Sequence, residues 1–162
     1  MPWLLLIITL VLLCFGFVLI FGAPYLPTLD EQVRVSLDLL DLKPGETMLE
    51  LGCGDGRVLL AAAARGWKVV GYELNPLLAL ISWLRTRKYG SKVEVHLGDF
   101  WRAQWPPAEG IFGFILPKYM KKLDKKVMQE CSKPVKVVSF AFAIKGRRPT
   151  TEQSGVFLYE YR

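Results

Sequence analysis

The chain has 162 residues, 52% hydrophobic and 22% charged, with a net charge of +6 at pH 7. That length suits one domain and is too short for two of ordinary size. A single histidine (His96) and three scattered cysteines (Cys14, Cys53, Cys131) offer neither a His/Cys metal site nor a disulfide framework, so no metal is expected.

All 21 basic and 15 acidic side chains lie after Leu29. Trp3 to Gly22 is a run of 20 uncharged residues, and as a helix it would span about 30 Å, the thickness of a bilayer's hydrocarbon core. A cleaved signal peptide would need a basic start, which is absent, and its nearest cut would set Phe21 where a small residue belongs and Pro24 just after it. The sequence therefore predicts a transmembrane anchor over residues 1–23, a linker over 24–30 and one domain over 31–162. Basic residues begin only at Arg34, which favours a domain facing the cytoplasm, or the matrix in a mitochondrion.

Thr28-Leu29-Asp30-Glu31 fits a capping box, with Thr28 as N-cap of a helix running to Leu42. Strand-like and helix-like segments then alternate. Strands are predicted over 47–51, 68–73, 93–97, 111–116, 135–144 and 155–161. Helices are predicted over 57–65, from Asn75-Pro76 to just before Gly90, and over 118–131. Alternation of this kind gives an α/β fold: a mostly parallel sheet of about six strands with helices on both faces. The polar loop 145–154 is too short for a crossover helix, so the last strand should run antiparallel to the fifth.

The segment richest in chemistry is Glu50-Leu51-Gly52-Cys53-Gly54-Asp55-Gly56, a glycine loop between a buried strand and a helix. Glycines there let a ligand approach the backbone, and the exposed N–H groups at the helix start suit a polar or anionic group. A tight turn with no ligand is the competing reading. Glu73 closes the second strand, 17 residues after Gly56, where a carboxylate can accept both hydroxyls of a ribose. Position 57 is Arg57 where the dinucleotide pattern G-x-G-x-x-G wants glycine, so a pyrophosphate-bearing cofactor has less support. Asp99 follows the third strand and either fills a turn or accepts from an exocyclic amine, with Phe100 or Trp101 against a purine face.

These residues resemble motif I of the class I S-adenosylmethionine-dependent methyltransferases, a Rossmann-like fold. Gly71-Tyr72-Glu73-Leu74-Asn75-Pro76 and Gly98-Asp99-Phe100-Trp101 fall where that family contacts ribose and adenine. Together with Pro24-Tyr25-Leu26-Pro27-Thr28, the pattern is similar to the membrane-anchored protein lysine methyltransferases that act on the ATP synthase c subunit and the adenine nucleotide translocator, and to their archaeal relatives. The resemblance implies S-adenosyl-L-methionine as cofactor. It implies Thr28, Glu50, Gly52, Cys53, Gly54, Asp55, Gly56, Glu73, Asp99 and Phe100 as its binding residues, with Pro27-Thr28 capping the pocket.

The acceptor would then lie after the fourth strand, near Leu116, Pro117 and Tyr119. Nucleobase N-methyltransferases usually carry Asp/Asn-Pro-Pro-aromatic there. Leu116 before a single proline disfavours a nucleic acid, and a protein lysine is the leading acceptor. A lipid-soluble small molecule, or a binding module without catalysis, remains open. The lysines from Lys118 to Lys133 are either a solvated helix face or a contact for anionic lipid headgroups.

Overall fold

The computed structural model describes residues 2–21 and 25–162, without the side chains at 10, 14, 15 and 17–21. The N-terminal apolar run forms α1 (Pro2–Phe21). Residues 22–24 and the side chains just named lie outside the described residues. Among the described residues no helix is long and apolar enough to cross a membrane. The expected anchor therefore has a helix in place, but the span itself is not established by the structure.

After α2 (Asp30–Leu40) the elements run β1 (Thr47–Leu51), α3 (Arg57–Ala64), β2 (Lys68–Glu73), α4 (Pro76–Thr86), β3 (Val93–Leu97), β4 (Gly110–Gly113), α5 (Met120–Glu130), β5 (Val135–Phe140), β6 (Thr151–Gln153) and β7 (Val156–Tyr161). The strands form one sheet in the order β3-β2-β1-β4-β5-β7-β6. Pairings from β3 to β5 are parallel, while β7 runs antiparallel to both β5 and β6. This is a Rossmann-like α/β sheet with helices on both faces. One core packs α2 and α3 on the sheet through Leu37, Leu40, Leu59 and Ala62. The other packs α5 through Leu123 and Val127 against Leu49, Ile111 and Val137. The apolar character of β4, and of Met48, Leu49 and Leu51 in β1, follows from burial on both faces.

The chain leaves β1 toward β2 and β3 on one side, then returns to β4 on the other. That reversal opens a crevice beyond the carboxyl ends of β1 and β4, the usual place for a ligand in such sheets.

Four local expectations are corrected. Leu29, not Thr28, is the N-cap of α2, with no side-chain cap; Thr28 is buried and its carbonyl is held by Arg57, so tertiary contacts override the capping box. A seventh strand, β6, lies inside the predicted polar loop. Ser154 and Gly155 both have positive φ (51° and 72°) and make the two-residue turn that pairs β6 with β7. The fourth strand ends at Gly113, so Phe114 to Leu116 are free of the ladder. The fifth ends at Phe140, where Ala141 takes φ 66°. The Asn75-Pro76 boundary stands as read: Asn75 Oδ1 accepts from the N–H of Leu77 and Leu78, and Pro76 opens α4.

Candidate active site

A cavity of about 320 Å³ occupies the crevice, walled by the glycine loop, Glu73, the segment Tyr25 to Thr28, Asp99 to Trp101 and the chain after β4. Most of the residues predicted for cofactor binding line it.

Glu73 is buried and ties the crevice together. Its Oε2 accepts from the Gly54 N–H and its Oε1 from the Asn75 N–H, both at 2.8 Å. Each carboxylate oxygen retains further acceptor capacity for a ligand hydroxyl. The same side chain therefore fixes the glycine loop, the start of α4 and an acceptor pair facing the cavity.

Asp55 has a different role from a free ligand group. Its carboxylate is shared by the guanidinium groups of Arg57 and Arg85. Burial raises its pKa, but the Arg57 hydrogen bonds and the two cationic neighbours outweigh this and hold it below the ordinary aspartate value. Arg57 Nη1 also donates to the Thr28 carbonyl at 3.0 Å. Asp55 thus positions an arginine that straps residues 25–28 over the loop. The Tyr25 ring lies 3.0 Å from where a Cβ on Gly54 would stand. Replacing Arg57 by methionine should weaken cofactor binding by about 1–2 kcal/mol through the lost anchor. Hydrogen exchange should show faster exchange at residues 25–28, with a smaller change in the unfolding midpoint.

Glu50 is 3% exposed, and its Oε2 has no hydrogen-bond partner. Burial, then the nearby Glu73 and Asp55 charges, push its pKa well above the usual carboxylate range. A buried carboxyl oxygen without a donor costs free energy until something supplies one. Its place on the cavity wall means that a cationic or N–H-bearing ligand group would supply it. The residues present therefore fit S-adenosylmethionine, which carries a sulfonium and an ammonium beside a nucleoside.

Cys53 lines the cavity as a residue, with its thiol packed 3.7 Å from Ser82 Oγ and beside Gly71; burial pushes the thiol pKa up. Asp99 fills the turn and also lines the cavity. Its Oδ1 accepts from the Trp101 N–H at 2.8 Å, as a turn residue does, while the residue still lines the cavity beside Phe100.

Beyond β4 the cavity is walled by Phe114, Leu116 and Tyr119, with Trp101 opposite. Pro117, in a short 3-10 turn before α5, is exposed and does not line it. The lysine run divides as well. Lys126 is buried, pairs with Glu130 at 2.7 Å and donates to the Ala103 carbonyl, so it braces α5 and is no lipid contact. Lys118, Lys121, Lys122, Lys125 and Lys133 are exposed. Sequence reasoning missed Arg57, Arg85 and Lys122 as parts of the site, while Tyr25 and Phe114 entered it only within longer stretches. Only Arg57 had a signal, as the charged residue where a dinucleotide loop has glycine.

The family model of the ANTKMT methyltransferase domain matches residues 50–151. This chain belongs to that family. It is 32% identical over 121 residues to the ATP synthase c-subunit lysine N-methyltransferase of Xenopus laevis, covering 74% of this chain and 53% of that one. It is 33% identical over 129 residues to the adenine nucleotide translocase lysine N-methyltransferase of Mus musculus, covering 78% and 56%. A protein-lysine N-methyltransferase of Saccharolobus islandicus is 29% identical, with 78% and 81% covered. The chain spans about half the length of the vertebrate relatives it matches. Among solved structures, an RNA methyltransferase from Salinibacter ruber in complex with S-adenosyl-L-homocysteine superposes with TM-score 0.75 at 28% identity, covering 84% of this chain and 92% of that one. S-adenosylmethionine is accordingly the cofactor of this methyltransferase domain.

Proposed function

We propose that the chain is a protein lysine methyltransferase working at a membrane surface, with α1 as its single-span anchor and the domain on the cytoplasmic or matrix side. The observation that carries the methyl-transfer reading is the unpartnered Oε2 of buried Glu50, on the wall of a cavity that Glu73 and the glycine loop already frame. The lysine acceptor rests on the named activities of the relatives and on the aromatic, proline-poor end of the cavity. The absence of charge from residues 1–29 supports the anchor.

When bound, S-adenosylmethionine supplies an activated methyl group: its S–CH3 bond breaks as a bond to the lysine nitrogen forms, and S-adenosylhomocysteine leaves. The chain's own part is to bind and orient. Glu50 receives a cationic or donor group, Glu73 accepts from ribose hydroxyls, and Asp99 with Phe100 holds the adenine. Phe114, Leu116, Trp101 and Tyr119 keep water from the acceptor end. Desolvation there favours the neutral amine that must attack, and alignment supplies much of the acceleration without a strong base. The exposed Lys121, Lys125 and Lys133 are free to meet anionic headgroups.

An RNA acceptor is the alternative raised by the Salinibacter neighbour. Leu116-Pro117 lacks the Asp/Asn-Pro-Pro-aromatic pattern for gripping a nucleobase amine, which favours lysine. The test incubates membranes with the full chain and methyl-labelled cofactor. Methyl-lysine in the protein hydrolysate supports the reading; label confined to lipid extract or RNA overturns it. Retention of the chain in membranes after alkaline carbonate washing supports the anchor, and release contradicts it.

A further inference from the structure

The acceptor end of the cavity contains an aromatic corner. The Trp101 and Tyr119 rings lie 5.8 Å apart at 52°, one from the loop after β3 and the other from the turn before α5. Two ammonium groups already rest on them. Lys122 Nζ is 4.3 Å from the Trp101 ring centroid, and Lys118 Nζ is 4.8 Å from that of Tyr119. Lys122 is also the lysine that lines the cavity.

Among the described residues neither ammonium has a carboxylate within ion-pairing distance, whereas Lys126, one turn further along α5, is held by Glu130. A carboxylate would hold an amine in its protonated form. An aromatic face attracts the ammonium through the ring quadrupole, and it opposes loss of the proton less than a carboxylate does. Such a corner suits a side chain that arrives charged and reacts neutral.

We propose that Trp101 and Tyr119 form the seat for the ammonium of the acceptor lysine, and that Lys122 occupies this seat until an incoming lysine displaces it. Lys122 is then a built-in competitor. An acceptor must outcompete a tethered ammonium, so isolated lysines enter poorly and a lysine presented by a docked protein enters well. The proposal rests on the protein-lysine reading above.

The test uses the full chain in detergent micelles, loaded with S-adenosylhomocysteine, and Nα-acetyl-lysine N-methylamide as probe. Binding is followed by saturation transfer to the probe's ε-methylene protons. Lys122→Ala should lower the half-saturating concentration by about 3- to 10-fold, and Lys122→Met should do the same. Trp101→Leu should abolish the signal and Trp101→Phe should keep part of it. Calorimetric affinity for S-adenosylhomocysteine is measured for each variant, and probe binding is compared with every variant saturated with it.

Unchanged or weaker probe binding in Lys122→Ala would overturn the proposal, as would binding that survives Trp101→Leu. The two readings fail differently. If the labelling experiment puts no methyl on protein lysine, the acceptor reading falls. If lysine is labelled and Lys122→Ala behaves as wild type, only the seat falls.

Discussion

Replacing Glu50 by glutamine should raise the unfolding midpoint of the cofactor-free protein at neutral pH while weakening cofactor binding. The carboxyl is almost wholly buried, one oxygen is unpartnered, and its pKa is raised by burial and by the Glu73 and Asp55 charges. A carboxyl whose native pKa is raised binds its proton more tightly folded than unfolded. Its folded state is therefore favoured most below the ordinary glutamate pKa of about 4.3, and stability declines as pH rises toward the native value. Glutamine keeps the shape and removes that decline. A gain of about 1–3 kcal/mol is expected at pH 7, with a flatter pH profile between about pH 5 and 7. The cofactor loses its charged partner, so affinity should fall by a similar amount. Thermal unfolding across pH, with calorimetry on the same samples, measures both. A lower midpoint at pH 7 would mean that Glu50 is satisfied in the fold.

Gly56→Ala should be the most damaging single-methyl change in the glycine loop. Gly56 has φ 76°, and a Cβ there would stand 2.4 Å from Ser82 Oγ and 3.0 Å from Ser82 Cα. The first neighbour is a side chain, but the second is the backbone of α4, which cannot yield without moving the helix. Backbone strain and overpacking together should cost about 3–4 kcal/mol, a large fraction of the stability of a domain this size. The double variant Gly56→Ala/Ser82→Gly should recover part of this by removing Oγ and Cβ. It should not recover all, because the crowding against the α4 backbone and the positive φ remain. Denaturant titration of the three proteins reads the effect; a loss below about 1 kcal/mol in the single variant would contradict the close approach of α3 and α4.

The parts of the molecule legible in the sequence are those whose signals are local. Asn75-Pro76 caps α4 because a side-chain amide and a fixed φ act within three residues. The apolar residues of β4 and those flanking Glu50 in β1 announce strands buried on both faces, and the glycine loop announces positive φ. The expectations that failed depend on distant partners. Thr28 reads as a cap, yet Arg57, 29 residues on, takes its carbonyl. Lys126 looks like its exposed neighbours until Ala103 and Glu130 are seen around it. β6 had a legible signal in Ser154-Gly155, but three exposed residues carry no apolar period to flag a strand.

These distant partners also explain why the site is more than its motifs. The strap over 25–28, the two arginines on Asp55 and the aromatic corner come from five separate stretches of chain. The fold brings them to one end of the sheet. The loop, Glu73 and the strap together make the cavity: Glu73 holds the loop through the Gly54 N–H, and Arg57 holds the strap through the Thr28 carbonyl.

The most direct test of that account is calorimetric titration of S-adenosylmethionine into the full chain in detergent, beside its Glu73→Ala variant. Wild type should bind one equivalent. The variant loses the ribose acceptor and the anchor of the Gly54 and Asn75 N–H groups, and should bind about 1.5–3 kcal/mol more weakly, a loss of roughly 10- to 150-fold. Equal affinities in the two proteins, or no binding by the wild type, would contradict the assignment of this cavity as the cofactor site.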